Sequence, residues 1–465
     1  VLPRLLAGGA VVASLRGLSV HSGRVGVGAH RGASVVLMRL DRHQGIALML
    51  LGMRTGLRRA AMALTLAMVG CGSSTAETGP GTGGTEATQD CITDASTFFV
   101  RPFDVDEDQY PFESCAYETN VGLLHYLDVG PKDAEYTVVM VHGNPTWSFL
   151  YRNIIPALVA DGHRGVVPDH VGMGMSDVPS TSAFDYRPRS HANHLQDLVA
   201  ALDLQNITLV VQDWGGPIGL DLATKEPERI GRILIMNTWA WSVDVDDPGY
   251  AHQMVRWYEQ VQLAQTVPDL FCRAFLPGQA AENAIQADPS EGSVHDAVLS
   301  AYISPHIVPA TGDYRHAEPC APMQIFAESI FDDNAFQAEI EGRLPTLRGT
   351  PYGLLFGLSD ILFGAQRCDV SGDIECPGAS TCVCDAELLP DRVDADCATA
   401  PREYFVCKDE GTGMALEPFA DRFVELLGED GLVAREAEPT SDHMIQEAVP
   451  DRVVAAIRAL IENGP

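Results

Sequence analysis

Five short segments that are almost continuously apolar, separated by stretches of helical character, most constrain what this chain can fold into. They are residues 137–141 (TVVMV), 165–167, 207–211 (ITLVV), 233–236 and 352–356. A strand covered on one face alternates apolar and polar residues. One without polar positions has to be covered on both faces, as in a parallel sheet between two helical layers. The stretches 148–160, 191–202 and 217–225 read as crossover helices, and Val453, Ile457, Leu460 and Ile461 recur at helical spacing near the end of the chain. The predicted class is α/β: a doubly wound, mostly parallel sheet whose ligands bind beyond the carboxyl ends of its strands.

Two segments break the pattern. Residues 240–322 are punctuated by proline, lean helical and carry several aromatic residues, and are read as a helical cap inserted over the site. Residues 365–415 hold six of the eleven cysteines: Cys368, Cys376, Cys382, Cys384, Cys397 and Cys407. So short a stretch with few large apolar side chains needs covalent staples, and disulfides are expected. Cys91 with Cys115 and Cys272 with Cys320 are the remaining candidate pairs. A metal site is the competing reading, because Cys382-Val-Cys384 is compact, although no paired CxxC knuckles accompany it. At 465 residues the chain exceeds one ordinary domain. The core is therefore divided among residues 91–239, 323–364 and 416–465, around the cap and the disulfide-rich insert.

Residues 53–71 read MRTGLRRAAMALTLAMVGC. Arg54, Arg58 and Arg59 precede an apolar run of ten residues, too short for a permanent membrane span, so 53–70 is expected to be a signal peptide. Its end resembles the lipobox of bacterial lipoproteins, with Met68 where Leu is usual, which makes Cys71 the expected lipidated residue. An ordinary signal peptide with an incidental cysteine is the alternative. Residues 71–90 are rich in Gly, Ser and Thr, as a flexible tether should be. Residues 1–52 precede a better start at Met53; they are read as upstream sequence and expected to have no fold. The expected location is the bacterial cell envelope after export, with membrane contact only through the lipid.

Charge narrows the partners. The formal net charge is −32, and residues 1–70 carry nine Arg against a single Asp41, so the rest is more acidic still. Such a surface repels phosphates and excludes nucleic acid as a partner. It suits a salty or extracellular medium that screens the self-repulsion.

In residues 211–217 (VQDWGGP) a strand runs into Asp213, and glycines precede a helix whose first turn tolerates Pro217. This is the pattern of a nucleophile elbow with a carboxylate where serine is usual. A carboxylate needs no deprotonation, can attack an sp³ carbon, and forms an ester that a histidine-activated water can hydrolyse. Taken alone, Asp213 reads equally as the N-cap of the following helix.

Three further motifs change the balance: His142-Gly143-Asn144-Pro145 after the strand at 137–141, PDHVGMGMSD at 168–177 and SDHMIQEAVPD at 441–451. With VQDWGG they strongly resemble the haloalkane dehalogenases, members of the α/β-hydrolase fold, over about residues 117–360 and 436–463. The resemblance implies hydrolysis of a small halogenated substrate by water to alcohol and halide, with no cofactor and no metal. It assigns Asp213 as nucleophile and His443 as the base that activates water. Asn144 and Trp214 become the halide donors, through an amide NH₂ and an indole N–H, and their backbone N–H groups the oxyanion hole. Residues 352–360 (YGLLFGLSD) end in Asp360, the acid expected to orient His443. In another branch of the family the acid follows the preceding strand, where this chain has Asn237, and an amide cannot serve. His142 is expected to stabilise the oxyanion loop, and His191 and His194 to lie on a polar helix face.

Two rival readings stay open. An epoxide hydrolase uses the same machinery with cap tyrosines as proton donors, for which Tyr250, Tyr258, Tyr302 and Tyr314 are available. Those enzymes usually carry an aromatic residue where Asn144 stands. A surface-binding lipoprotein on a decayed hydrolase fold is the other, although no member of the set Asp213, His443, Asp360, Asn144 and Trp214 is missing.

Overall fold

The computed structural model describes residues 107–246, 249–265, 293–308, 321–360, 362–366, 376–384, 405–412 and 414–463, with short pieces at 35–37, 48–50, 93–94, 105, 278, 313–314 and 368. The chain divides into two units, Val1–Gly83 and Gly84–Pro465. In the first, Val35–Leu37 pairs antiparallel with Leu48–Leu50; both runs are apolar and rich in Val, Leu and Met, and the rest of 1–52 lies outside the described residues. The signal segment, Cys71 and the tether lie outside the described residues.

The second unit is built on one nine-stranded sheet. Its strands are β1 (Thr93–Asp94), β2 (Cys115–Thr119), β3 (Gly122–Val129), β4 (Thr137–Val141), β5 (Arg164–Pro168), β6 (Ile207–Gln212), β7 (Ile230–Met236), β8 (Tyr352–Gly357) and β9 (Leu432–Glu438). They lie in the order β9-β8-β7-β6-β4-β5-β3-β2-β1. From β9 to β5 every pairing is parallel, while β5–β3, β3–β2 and β2–β1 are antiparallel. The chain passes from β4 to β5 on one side and then to β6 on the other, so winding reverses at β4 and leaves a crevice at its carboxyl end.

The helices are α1 (Ile155–Ala160), α2 (Pro188–Ala201), α3 (Gly215–Lys225), α4 (His252–Gln265), α5 (Ser293–Ile303), α6 (Ala321–Asp332), α7 (Asn334–Arg343), α8 (Pro418–Leu427), α9 (Ile445–Ala448) and α10 (Pro450–Asn463). Side-chain alternation along the central strands feeds two cores. Val139, Val141, Leu209 and Val211 pack with α2 and α3 on one face. Val138, Met140 and Val210 pack with α1 and α10 on the other. This two-sided burial explains why β4 and β6 lack polar alternation. The stretch expected as one helix over 148–160 is a 3-10 turn, Ser148–Tyr151, followed by α1.

In the Cys-rich segment Ser380–Cys384 and Phe405–Asp409 form an antiparallel pair. Cys368 is bonded to Cys382 and Cys376 to Cys407. The sulfurs of Cys368, Cys376 and Cys382 lie within 4.8 Å of one another and are held in these disulfides. Cys115 and Cys384 are also disulfide-bonded. Cys91, Cys272, Cys320 and Cys397 lie outside the described residues. Among the described residues no helix is long and apolar enough to cross a membrane.

Candidate active site

β6 ends at Gln212, and the chain turns at once through Asp213, whose φ of +50° is left-handed. For a residue with a β-carbon this costs on the order of 1–3 kcal/mol. Backbone hydrogen bonds hold the turn. Asp213 N–H donates to the Asn237 carbonyl (3.0 Å), and the Thr238 hydroxyl (2.5 Å) and Gly216 N–H (2.9 Å) both donate to the Asp213 carbonyl. Gly215 and Gly216 let α3 start against neighbouring backbone: a Cβ on the first would overlap the Val141 carbonyl, and on the second the Thr238 side chain. No side chain caps α3, so the N-cap alternative for Asp213 is set aside.

The carboxylate of Asp213 is 7% exposed and faces two loops. From the loop after β4, Asn144 N–H donates to its Oδ1 at 2.7 Å. His142 braces that loop. Its Nε2 accepts the His170 N–H (3.0 Å), so its proton sits on Nδ1 and is donated to the Gly143 carbonyl (2.8 Å). From the loop before α9, His443 brings Nε2 to 3.4 Å from Asp213 Oδ2 and Nδ1 to 2.8 Å from Asp360 Oδ2. Asp360 also accepts Asn237 Nδ2 (2.8 Å) and the Leu362 N–H (2.8 Å).

Electrostatics follow from this arrangement. Burial opposes ionisation of Asp360, but the His443 imidazole and the neighbouring donors hold its carboxyl below the usual range. Burial likewise opposes charge on His443, yet the carboxylates of Asp360 and Asp213 prevail and hold the ring well above the ordinary imidazole value. His443 thus lies between two carboxylates that favour its protonated form.

Trp214 is buried, its ring edge-on to Trp239 (4.6 Å) and Phe326 (5.6 Å). Its indole N–H has no hydrogen-bond partner among the described residues. Asn144 donates Nδ2 to the Met323 carbonyl of α6 (3.1 Å), and its Oδ1 is buried without a partner among the described residues. The structure thus brings Asp213, His443, Asp360, Asn144 and Trp214 together.

Other expectations are corrected or extended. His191 and His194 do not lie on a polar face: both are buried, His191 against Phe326 (4.6 Å) and His194 against Phe184 (5.1 Å). The α2 pattern conceals this, because imidazole serves there as an aromatic packing group. Asn237, excluded as the acid, has another part: it donates to Asp360 and exchanges hydrogen bonds with Gly357 (3.0 and 2.8 Å), tying β7 to β8. Its φ of +28° belongs to the left-handed conformations Asn tolerates. Phe363 stacks on Trp239 (5.2 Å) and reaches His443 (5.6 Å); nothing in its sequence context marks it. A separate cleft of about 570 Å³, bordered by Glu118, Asn120, Asp185, His194 and Asp197, shares no lining residue with this site.

A mostly parallel sheet with a strained elbow after its central strand and a histidine–acid pair on the last loops is the α/β-hydrolase fold, here with aspartate at the elbow. The family described as alpha/beta hydrolase fold matches residues 136–271. The chain is 48% identical over 123 residues to a haloalkane dehalogenase of Psychrobacter cryohalolentis, covering 26% of this chain and 40% of that protein. It is 45% identical over 139 residues to a cis-3-alkyl-4-alkyloxetan-2-one decarboxylase of Shewanella oneidensis, covering 30% of this chain and 42% of that one. With haloalkane dehalogenase 2 of Mycobacterium tuberculosis the identity is 41% over 142 residues, covering 30% and 48%. The chain thus spans less than half the length of the curated relatives it matches. Among solved structures, a haloalkane dehalogenase from Paraglaciecola agarilytica superposes with a TM-score of 0.52 at 21% identity, over 78% of this chain and 99% of that one, a likeness of fold.

Proposed function

We propose that this protein hydrolyses haloalkanes through a covalent ester on Asp213. The observation that carries the proposal is a buried carboxylate at the elbow, one oxygen held by the Asn144 N–H and the other facing His443, beside an indole N–H with no partner among the described residues. Asp213 attacks the halogen-bearing carbon, the carbon–halogen bond breaks, and the halide leaves with the bonding pair toward the Trp214 and Asn144 donors. Esterification removes one of the two carboxylates that keep His443 charged. The ring then releases its proton to solvent, the one proton the reaction yields per turnover, and as the neutral base takes a proton from water as the water oxygen attacks the ester carbonyl. Collapse of the tetrahedral species, held by the N–H groups of Asn144 and Trp214, releases the alcohol and restores carboxylate and imidazolium.

The test is His443→Phe incubated with a small panel of haloalkanes and read by intact-protein mass. The expected result is a stable alkyl adduct with one equivalent of halide, absent in Asp213→Ala. Normal turnover by the His443 variant would overturn the assignment. A second reading is favoured by the Shewanella relative: loss of carbon dioxide from a cis-dialkyl oxetan-2-one to give an alkene. Alkene formation without halide release from the panel would select it. Of the four tyrosines that epoxide opening could call on, Tyr302 and Tyr258 have their hydroxyls committed to Glu447 and Asp332. Export with lipidation at Cys71 is proposed on residues 53–71 alone. Recovery of the parent in membranes and of Cys71→Ser in the soluble fraction is expected, and equal soluble recovery would refute it.

A further inference from the structure

Gln212, the last residue of β6 and the one before the nucleophile, is fully buried. Its amide nitrogen lies 3.2 Å from His443 Nε2 and 3.1 Å from the His443 carbonyl oxygen. A carbonyl can only accept, so the NH₂ end of the amide faces the histidine, while Gln212 Oε1 is buried with no partner among the described residues. His443 Nε2 therefore stands between two groups with opposite demands. Asp213 Oδ2, 3.4 Å away, calls for a proton on Nε2, whereas the Gln212 N–H calls for a lone pair there. No single protonation state serves both. In the resting ion pair the carboxylate prevails and the amide faces an N–H. When Asp213 becomes an ester its negative charge is gone, and the amide is the group left at Nε2.

We propose that Gln212 is a positioning residue for the base: once Asp213 is esterified, its N–H holds His443 as the neutral tautomer with the proton on Nδ1 and the lone pair on Nε2. The inference deepens the hydrolytic reading above and rests on it for its kinetic consequence. The charged groups facing the ring are Asp213 on the elbow and Asp360 on the loop after β8; Asp442 on its own loop accepts the backbone N–H of His443 (2.8 Å). Phe363 packs beside the ring and does not titrate. Gln212 is the neutral donor that offsets these carboxylates at the nitrogen used for chemistry. It leaves the first step alone, because attack by Asp213 needs no proton transfer.

The experiment compares the parent with Gln212→Leu and Gln212→Glu in two measurements. In the first, single-turnover reactions with a haloalkane are quenched across pH 6–10 and the alkyl-enzyme is followed by mass. Formation of the adduct should be unchanged. The acid limb of its hydrolysis should move upward by about one pH unit in the Leu variant, and further in the Glu variant, which replaces a donor by a carboxylate. The adduct should accumulate near neutrality and disappear at high pH. In the second, Asp213→Asn, which like the ester lacks charge, is titrated by imidazole NMR with and without Gln212→Leu, and the His443 signal is identified by its loss in His443→Phe. The double variant should titrate at higher pH. A uniform loss of hydrolysis with an unmoved acid limb, or identical titration in the two Asn backgrounds, would overturn the proposal. Absence of any adduct in the parent would defeat the haloalkane reading instead, and the NMR comparison would still decide the part of Gln212.

Discussion

Asp213 meets three constraints at once: a left-handed backbone, a carboxylate already bonded by the Asn144 N–H, and a glycine directly opposite. The last is the most exacting. A Cβ on Gly143 would occupy space now held by Asp213 Oδ1, Cγ and Cβ, so either the carboxylate rotates or the oxyanion loop withdraws. Gly143→Ala is expected to lower adduct formation on the order of 100-fold, because a displacement near 1 Å at reacting atoms has about that effect. The same change should cost only about 1–3 kcal/mol of stability, as overpacking usually does. Halide release at the parent rate from a folded Gly143→Ala protein would contradict the argument. Asp213, His443 and Asp360 are legible in the sequence because each sits in a local motif with its own turn or strand end. Gln212 and Asn237 are not, since their parts exist only through partners 231 and 123 residues away. His191 and His194 mislead for a related reason, because a residue type does not say whether its ring is hydrated or stacked.

The elements show the same division. Strands β4, β6, β7 and β8 are legible because burial on both faces leaves an uninterrupted apolar run. β9 (LVAREAE) is not: it closes the sheet as an edge strand with most positions only partly buried, and the pattern carries polar residues. Elements distant in sequence are joined by contacts with no periodic signature. Glu447 on α9, four residues beyond His443, forms a bidentate pair with Arg152 at 2.5 and 3.0 Å and also accepts the Tyr302 hydroxyl from α5. Arg152 lies over the Phe149 ring at 3.9 Å. Breaking such a buried pair by removing one partner typically costs about 3–5 kcal/mol, since the other charge is left stranded. The loop carrying His443 is thereby anchored to α5, and Trp147 adds a parallel tie by donating Nε1 to the Ala301 carbonyl (3.2 Å). The acid loop is anchored from the opposite direction. Gln366 accepts the Cys407 N–H (2.8 Å) and donates its own N–H to Leu416 (2.8 Å), while Val406 packs on Leu358 and Ala365. The stapled hairpin is thus continuous with the loop that carries Asp360.

For the whole molecule the buried imidazoles set how stability depends on pH. His142, His170 and His191 are fully buried, and burial, the leading cause in each, holds them below the ordinary imidazole value. In the unfolded chain each titrates near ~6.5. As pH falls through that value the unfolded state takes up protons that the folded state refuses. The stability these residues supply is therefore present above ~6.5 and lost below it, by up to about 1.4 kcal/mol per pH unit for each ring. Asp360 has the same sign at lower pH: its carboxyl is depressed, so its contribution holds above ~3.9 and fades as pH falls below that. His443 has the opposite sign. Its folded value is raised, so its contribution is complete below ~6.5 and fades as pH rises toward the folded value. The rings held low outnumber the one held high, which makes the acid side steeper. Acidification also relieves the repulsion of a chain with net charge −32, which works against the acid loss and is suppressed by measuring in salt well above ~0.15 M. Calorimetry from pH 5 to 9 at constant high salt should show a midpoint highest near neutrality, a steep fall below ~6.5 and a gentler decline above it. His443→Phe should flatten the alkaline decline and leave the acid limb in place. A midpoint that rises on going from pH 7 to 5.5 would mean that the buried histidines accept protons without loss of packing, contrary to the hydrogen bond His142 Nε2 receives from the His170 N–H.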